Sequence, residues 1–356
     1  MTRLEKIRNK LTELGLDGAI ILNEINQHYL SGFAFTDGLL LITQNSAHLI
    51  TDFRYYEMAH KCADEGYNIV TPENRTEYIS SVISADSVKT LGFEGNFVSF
   101  NTYHSYKRNH PNVEFVNFGD AVEMLRQIKD AEEIAIIQKA QDITDAAFAH
   151  LLKVINTNMT EIEVAAELEY YMRKCGAEGP SFDTISVSGD ASALPHGTPR
   201  NVKLKKGFLT LDFGAKYKGY CADMTRTVVV GKADEEIKKL YNTVLSAQLA
   251  ALDFLKEGRD CGEADKIARD IIDGIPEYAG TFGHSLGHSL GLEVHEAPGL
   301  SKRYFGRKMR ACELYSVEPG IYIYGKYGCR IEDIVAIEKN GVHNFTHSTK
   351  ELIEIF

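Results

Sequence analysis

Leu209–Thr227 reads LTLDFGAKYKGYCADMTRT, with Asp212 and Asp223 set in apolar or small surroundings. Gly214 and Gly219 mark a turn between two strand-like runs, so the stretch reads as a β-hairpin. Folded symmetrically about residues 217 and 218, it places Asp212 opposite Asp223. Side chains directly opposed across such a pair have Cβ atoms about 4.5–5.5 Å apart. Two carboxylates that close repel each other, and burial strips their hydration. A divalent cation between them removes both costs.

The device recurs in LYSVEPGIYIYGKYGCRIEDI, Leu314–Ile334. A hairpin centred on Gly325 sets Glu318 opposite Glu332. Between the two hairpins lies TFGHSLGHSLGLEVHEAPG, residues 281–299, a glycine-rich loop carrying His284, His288 and His295. Imidazole with carboxylates is a ligand set for Mn²⁺, Zn²⁺, Co²⁺ or Fe²⁺. Four carboxylates and one histidine suffice for two ions, the arrangement of two-metal hydrolases. Spacing alone does not say which histidine is the ligand. His196, between Pro195 and Gly197, lies in a loop that the first hairpin brings near the site.

The 356 residues exceed what a single core usually serves. Periodicity divides them into an α/β domain over 1–125, a linker at 126–131 and an α+β domain over 132–356. Apolar positions Leu4, Ile7 and Leu11 repeat at helical spacing, and short strand-like runs then alternate with helices to about residue 120. After Lys129 a long amphipathic helix begins, with Asp130 as N-cap and Glu132 and Glu133 at its positive end. Further helices are expected near 160–175, 234–257 and 261–273, and strands at 183–188, 207–213, 222–230, 314–324 and 328–337. The charge runs at 129–133 and 234–239 read as solvated helix faces. A net charge of −11 argues against nucleic-acid or anionic-membrane partners. Apolar runs such as GAIIL are too short to span a bilayer. Six scattered cysteines without a CxxC pair, and no apolar leader, predict a reduced, cytoplasmic protein.

These motifs, in this order, resemble the pita-bread metallopeptidases, in particular the Xaa-Pro aminopeptidase and Xaa-Pro dipeptidase (prolidase) branch. NEINQHYLSGF and ITDFRYYEMA resemble the creatinase-type N-terminal domain of the same proteins. The resemblance implies five metal ligands, Asp212, Asp223, His288, Glu318 and Glu332, holding two divalent ions, manganese foremost, with cobalt or zinc able to substitute. It implies that Glu318 accepts the proton of the attacking water. His196 and His295 would contact the substrate near the scissile bond. Arg330 would stand beside Glu332, and Tyr322 would be a further pocket contact. It implies proline-containing peptides as substrates, Xaa-Pro aminopeptidase activity with prolidase as the alternative, and a homodimer. Ser289 stands where relatives usually carry glycine, and Cys329 where they often carry valine. The metal ligands argue against creatinase chemistry. Methionine aminopeptidase shares the ligands but not the N-terminal domain, and intact ligands speak against a non-catalytic binding protein.

Overall fold

The computed structural model describes all 356 residues and divides into two compact units, Met1–Arg126 and Gln127–Phe356.

The first unit is a mixed six-stranded sheet flanked by helices. Its strands are β1 (Gly18–Ile21), β2 (Leu39–Thr43), β3 (Ala47–Ile50), β4 (Asn68–Val70), β5 (Thr90–Phe93) and β6 (Glu114–Asn117), in the order β4-β3-β2-β1-β5-β6. β1, β2 and β3 are buried along their whole length, which is why they read as continuous apolar runs. The first helix, Arg3–Glu13, buries Leu4, Ile7 and Leu11 and starts at a capping box of Thr2 and Glu5.

The second unit is α+β. The long helix runs Ala131–Val154, and Asp130 caps it reciprocally with Glu133. Helices Glu161–Lys174, Glu235–Phe254 and Cys261–Asp273 follow. The central sheet orders Glu354–Ile355, Met224–Val230, Gly207–Phe213 and Ile185–Ser188. Alternation along Gly207–Phe213 decides what each face meets. Leu209, Leu211 and Phe213 pack into a core with the helices Ala131–Val154 and Glu161–Lys174. Phe208 turns the other way, into a second core built on Glu235–Phe254 and Cys261–Asp273. Asp212 shares that second face.

The hairpin register corrects one expectation. Asp212 lies opposite Thr225, not Asp223, and Met224 lies opposite Phe213. The turn is centred one residue later, with Tyr217 paired to Tyr220 across Lys218 and Gly219, both at positive φ. A slip of two keeps side-chain parity, so Asp212, Asp223 and Thr225 still share one face. Asp223 falls opposite Gly214, where an added Cβ would lie 1.8 Å from the Ala222 carbonyl oxygen. The second hairpin folds as expected: Tyr322 pairs with Gly328 and Val317 with Asp333, a register that sets Glu318 against Glu332. The histidine-rich segment is not simply a loop. It contains a short antiparallel pair, Gly287–Ser289 with Glu296–Leu300, whose glycines and Pro298 hide the strand pattern. Lys129 and Glu133, read as solvated, are 2% and 1% exposed because buried partners receive them: Glu296 for Lys129 and Tyr220 for Glu133.

Candidate metal centre

The two acidic hairpins dock through backbone and side-chain hydrogen bonds. Glu332 N donates to the Thr225 carbonyl at 3.1 Å, and Thr227 Oγ1 donates to the Arg330 carbonyl at 2.8 Å. The histidine strand joins from the third side, where Glu318 N donates to the Leu286 carbonyl and His288 N to Ser316 Oγ. Asp212, Asp223, His288, Glu318 and Glu332 thereby line one cavity of about 600 Å³, with His196, His284, His295 and Arg330 on its wall. This is the size of an ordinary small-ligand pocket.

Three of the five expected ligands, Asp223, His288 and Glu332, bring ligand atoms within 4.8 Å of one another. Glu318 Oε1 is 3.3 Å from His288 Nε2, and Asp223 Oδ2 is 3.6 Å from the same nitrogen. The other ring nitrogen, Nδ1, lies 3.0 Å from the Ser289 carbonyl and donates to it, so Nε2 is the nitrogen turned toward the cavity, where Glu318 raises the imidazole's affinity for a proton as long as no cation is bound. Asp212 is held differently, by Arg330 Nη2 at 2.6 Å.

Arg330 organises the second layer of contacts. It donates from Nε to Thr225 Oγ1 at 3.0 Å and from Nη1 to the Tyr322 hydroxyl at 2.6 Å. Thr225 Oγ1 in turn donates a hydrogen bond to Glu332 Oε2 at 2.7 Å. Tyr322 does not itself line the cavity; its hydroxyl lies 3.0 Å from His284 Nε2, just behind the wall. His284, named in the sequence only as one of three loop histidines, and Thr225, not named at all, are contributors to which the motifs gave no role. The tandem GHS in the sequence was the available signal for the first; nothing local marks the second.

Burial pushes the Asp223 and Glu332 carboxyls well above their ordinary range, and the neighbouring carboxylates push the same way. Asp212 is raised by burial too, with Arg330 opposing. For Glu318, burial is outweighed by the hydrogen bond and charge of His288, which pull it down. Burial lowers His284 and His295, favouring the neutral imidazole in both.

The donor set fits divalent cations on a further observation. Asp212 Oδ1 and Glu332 Oε1 are buried with no hydrogen-bond partner. Orphaned carboxylate oxygens in a buried site are costly unless something electropositive sits against them. Oxygen and imidazole donors together suit manganese, cobalt or zinc.

Comparison with known proteins agrees with this chemistry. The model of metallopeptidase family M24 matches residues 135–339, and that of the creatinase/prolidase N-terminal domain matches residues 3–128. The uncharacterized peptidase YqhT of Bacillus subtilis is 44% identical over 353 residues, 99% of each chain. Two solved structures superpose over nearly the whole length. An Xaa-Pro dipeptidase from Bacillus anthracis is 42% identical, with a TM-score of 0.94 and 99% of each chain covered. An X-Pro aminopeptidase from Thermotoga maritima is 36% identical, with a TM-score of 0.91 and all of both chains covered. The pita-bread architecture with a creatinase-type N-terminal domain is thus established from end to end, and the chain belongs to metallopeptidase family M24.

Proposed function

We propose that this protein is an Xaa-Pro aminopeptidase, a dinuclear-metal exopeptidase that cleaves between an N-terminal residue and a following proline. The observation that carries the reading is the cavity itself: four carboxylates and His288 converge there, and two of the carboxylates keep an orphaned oxygen. The relatives supply the bond. The Thermotoga maritima structure is named an X-Pro aminopeptidase, and the Bacillus anthracis structure an Xaa-Pro dipeptidase, which keeps prolidase as the second reading.

In this reading activity resides in residues 132–356, after a linker at 126–131. Asp212, Asp223, His288, Glu318 and Glu332 hold two divalent ions, with manganese the first candidate. When bound, the ions supply Lewis acidity that polarises a peptide carbonyl and acidifies water near pH 7. Glu318, ionised and steadied by Ser316 Oγ at 3.0 Å, takes the proton of the attacking water. His196 and His295, exposed on the cavity wall, donate to the carbonyl oxygen as it gains charge. Arg330 and Tyr322 orient Asp212 and the pocket floor. The imide before proline has no N–H and a fixed φ, so a dedicated pocket is needed to seat it.

We also read the protein as cytoplasmic and homodimeric. All six cysteines are free, as suits a reducing compartment, and no helix is long and apolar enough to cross a membrane. Phe53, Tyr56 and Met58 stand exposed on the helix Phe53–Cys62, large apolar side chains that a second subunit would cover.

The test is hydrolysis of Ala-Pro-Ala, Ala-Pro and Ala-Ala-Ala by the Mn²⁺-loaded protein. Faster release of alanine from Ala-Pro-Ala supports the aminopeptidase, and preference for Ala-Pro makes it a prolidase. Cleavage of neither, with metal bound, refutes both.

A further inference from the structure

The pair Gly287–Ser289 and Glu296–Leu300 changes register at a critical point. His288 lies opposite Gly299, yet Ser289 lies opposite Glu296, so Ala297 and Pro298 bulge out between them. Bulges re-aim the side chains beside them. Two imidazoles depend on this one: His288 precedes the shift on its strand, and His295 precedes Glu296 on the other. Their rings meet edge to face with centroids 4.4 Å apart.

A buried cation sits at the shift. Lys129 Nζ is 3.0 Å from Glu296 Oε2 and 3.4 Å from Ser289 Oγ, so it touches both members of the displaced pair. Its side chain is 1% exposed. Its backbone N–H is anchored to the Cys312 carbonyl at 3.0 Å, on the approach to the strand that leads to Glu318. Gly291 leaves room for it: a Cβ there would lie 3.1 Å from Lys129 Cε and 2.9 Å from Glu296 Oε1. The Gly291 carbonyl in turn accepts from Cys221 N at 2.7 Å, two residues before Asp223. An ammonium buried this completely is a poor way to gain stability alone, since desolvation offsets most of the attraction.

We propose that Lys129 is a positioning residue that clamps this register shift and so fixes His288 against His295. Ser289 extends the clamp to the strand bearing His288; a glycine, usual in the proteins this chain resembles, offers no hydroxyl for it. The proposal rests on the reading that His288 holds metal and His295 faces the peptide.

The experiment compares wild type with Lys129→Met, Lys129→Met/Glu296→Gln and Ser289→Gly. It measures Ala-Pro-Ala hydrolysis, unfolding temperature without metal, and the visible absorption of the Co²⁺-loaded protein. Lys129→Met leaves Glu296 without this cation and unfolds at lower temperature. The double variant removes both charges and recovers stability. Under the clamp, kcat stays down about 10–100-fold in both, the usual effect of a lost outer-shell contact, and the Co²⁺ bands move in the folded double variant. Recovery of kcat in step with stability, or unmoved bands with full kcat, would overturn it and leave a plain ion pair. If neither Lys129 variant folds, Ser289→Gly decides. A loss of about three- to tenfold at unchanged unfolding temperature supports the clamp, being the share of one hydrogen bond, and wild-type kcat overturns it. A wild type inactive on Ala-Pro-Ala would instead sink the functional reading, with the Co²⁺ spectra still testing the clamp.

Discussion

Adding Mn²⁺ to protein stripped with EDTA should raise its unfolding temperature, and Asp223→Asn should abolish the rise. Four carboxylates face the cavity with one guanidinium, Arg330, among them, and the Asp223 and Glu332 carboxyls are driven upward by burial and by neighbouring carboxylates. A ligand that binds only the folded state stabilises it by about 2.7 kcal/mol at a hundredfold excess over Kd. The unit Gln127–Phe356, about 230 residues, has an unfolding entropy of about 480 cal/mol/K at ~2.1 per residue. The expected shift is therefore about 5–6 °C for each ion bound. It should shrink as pH falls, since protons compete for the same oxygens. Calorimetric titration gives Kd, and scanning calorimetry at a hundred times that concentration gives the shift. An equal shift in Asp223→Asn, or none in wild type at saturation, would refute the assignment of these residues as the metal site.

Arg226→Met should cost about 3–5 kcal/mol, the penalty for breaking a buried ion pair, because Arg226 is 1% exposed and reaches Asp333 at 2.8 Å and the carbonyls of Thr225, Glu332, Ser348 and Thr349, leaving Asp333 with Lys350 alone as its cation. Urea titration checks it, and a loss under 1 kcal/mol would show that the network is not needed. Glu313→Gln should flatten the acid limb of the stability curve. Burial alone would raise Glu313, but hydrogen bonds from Arg307, Arg310 and Tyr315 hold it below its ordinary 4.5. A carboxylate depressed in the folded state stabilises above its unfolded value and loses that contribution as pH falls through the folded one. Wild type should thus lose stability below about pH 4.5 faster than the variant; parallel curves would contradict this.

What the sequence made legible follows from what is local. The second hairpin could be placed because Gly325, at φ +71°, is the centre of a symmetric turn, and strands obey their period from there. The first was misplaced by two because two glycines competed for the turn. Gly219 makes it, at φ +80°, while Gly214 is there for the close approach of Ala222. The helix after Asp130 announced itself through a capping box. Lys129 did not, because burial of a charge is decided by a partner 167 residues away. Thr225 was silent for the same reason: its link between Arg330 and Glu332 exists only once the hairpins dock.

The misplaced register nevertheless brought the same acids to one cavity, and the reason is physical. A strand slipped by one residue turns its whole acidic set to the opposite face, whereas a slip of two preserves the face. What the slip altered is the division of labour. Had Asp212 and Asp223 been directly opposed, they would have formed an equivalent pair. Instead Asp212 stands opposite Thr225 and is drawn to Arg330, while Asp223 stands one step further along, near His288 and Glu332. One carboxylate is tied to a guanidinium and the other is not. A single guanidinium neutralises at most one of the four acids, and Asp212 Oδ1 and Glu332 Oε1 still have no partner. The protein alone leaves these carboxylates incompletely paired, and that deficit would give a divalent ion its hold on the site.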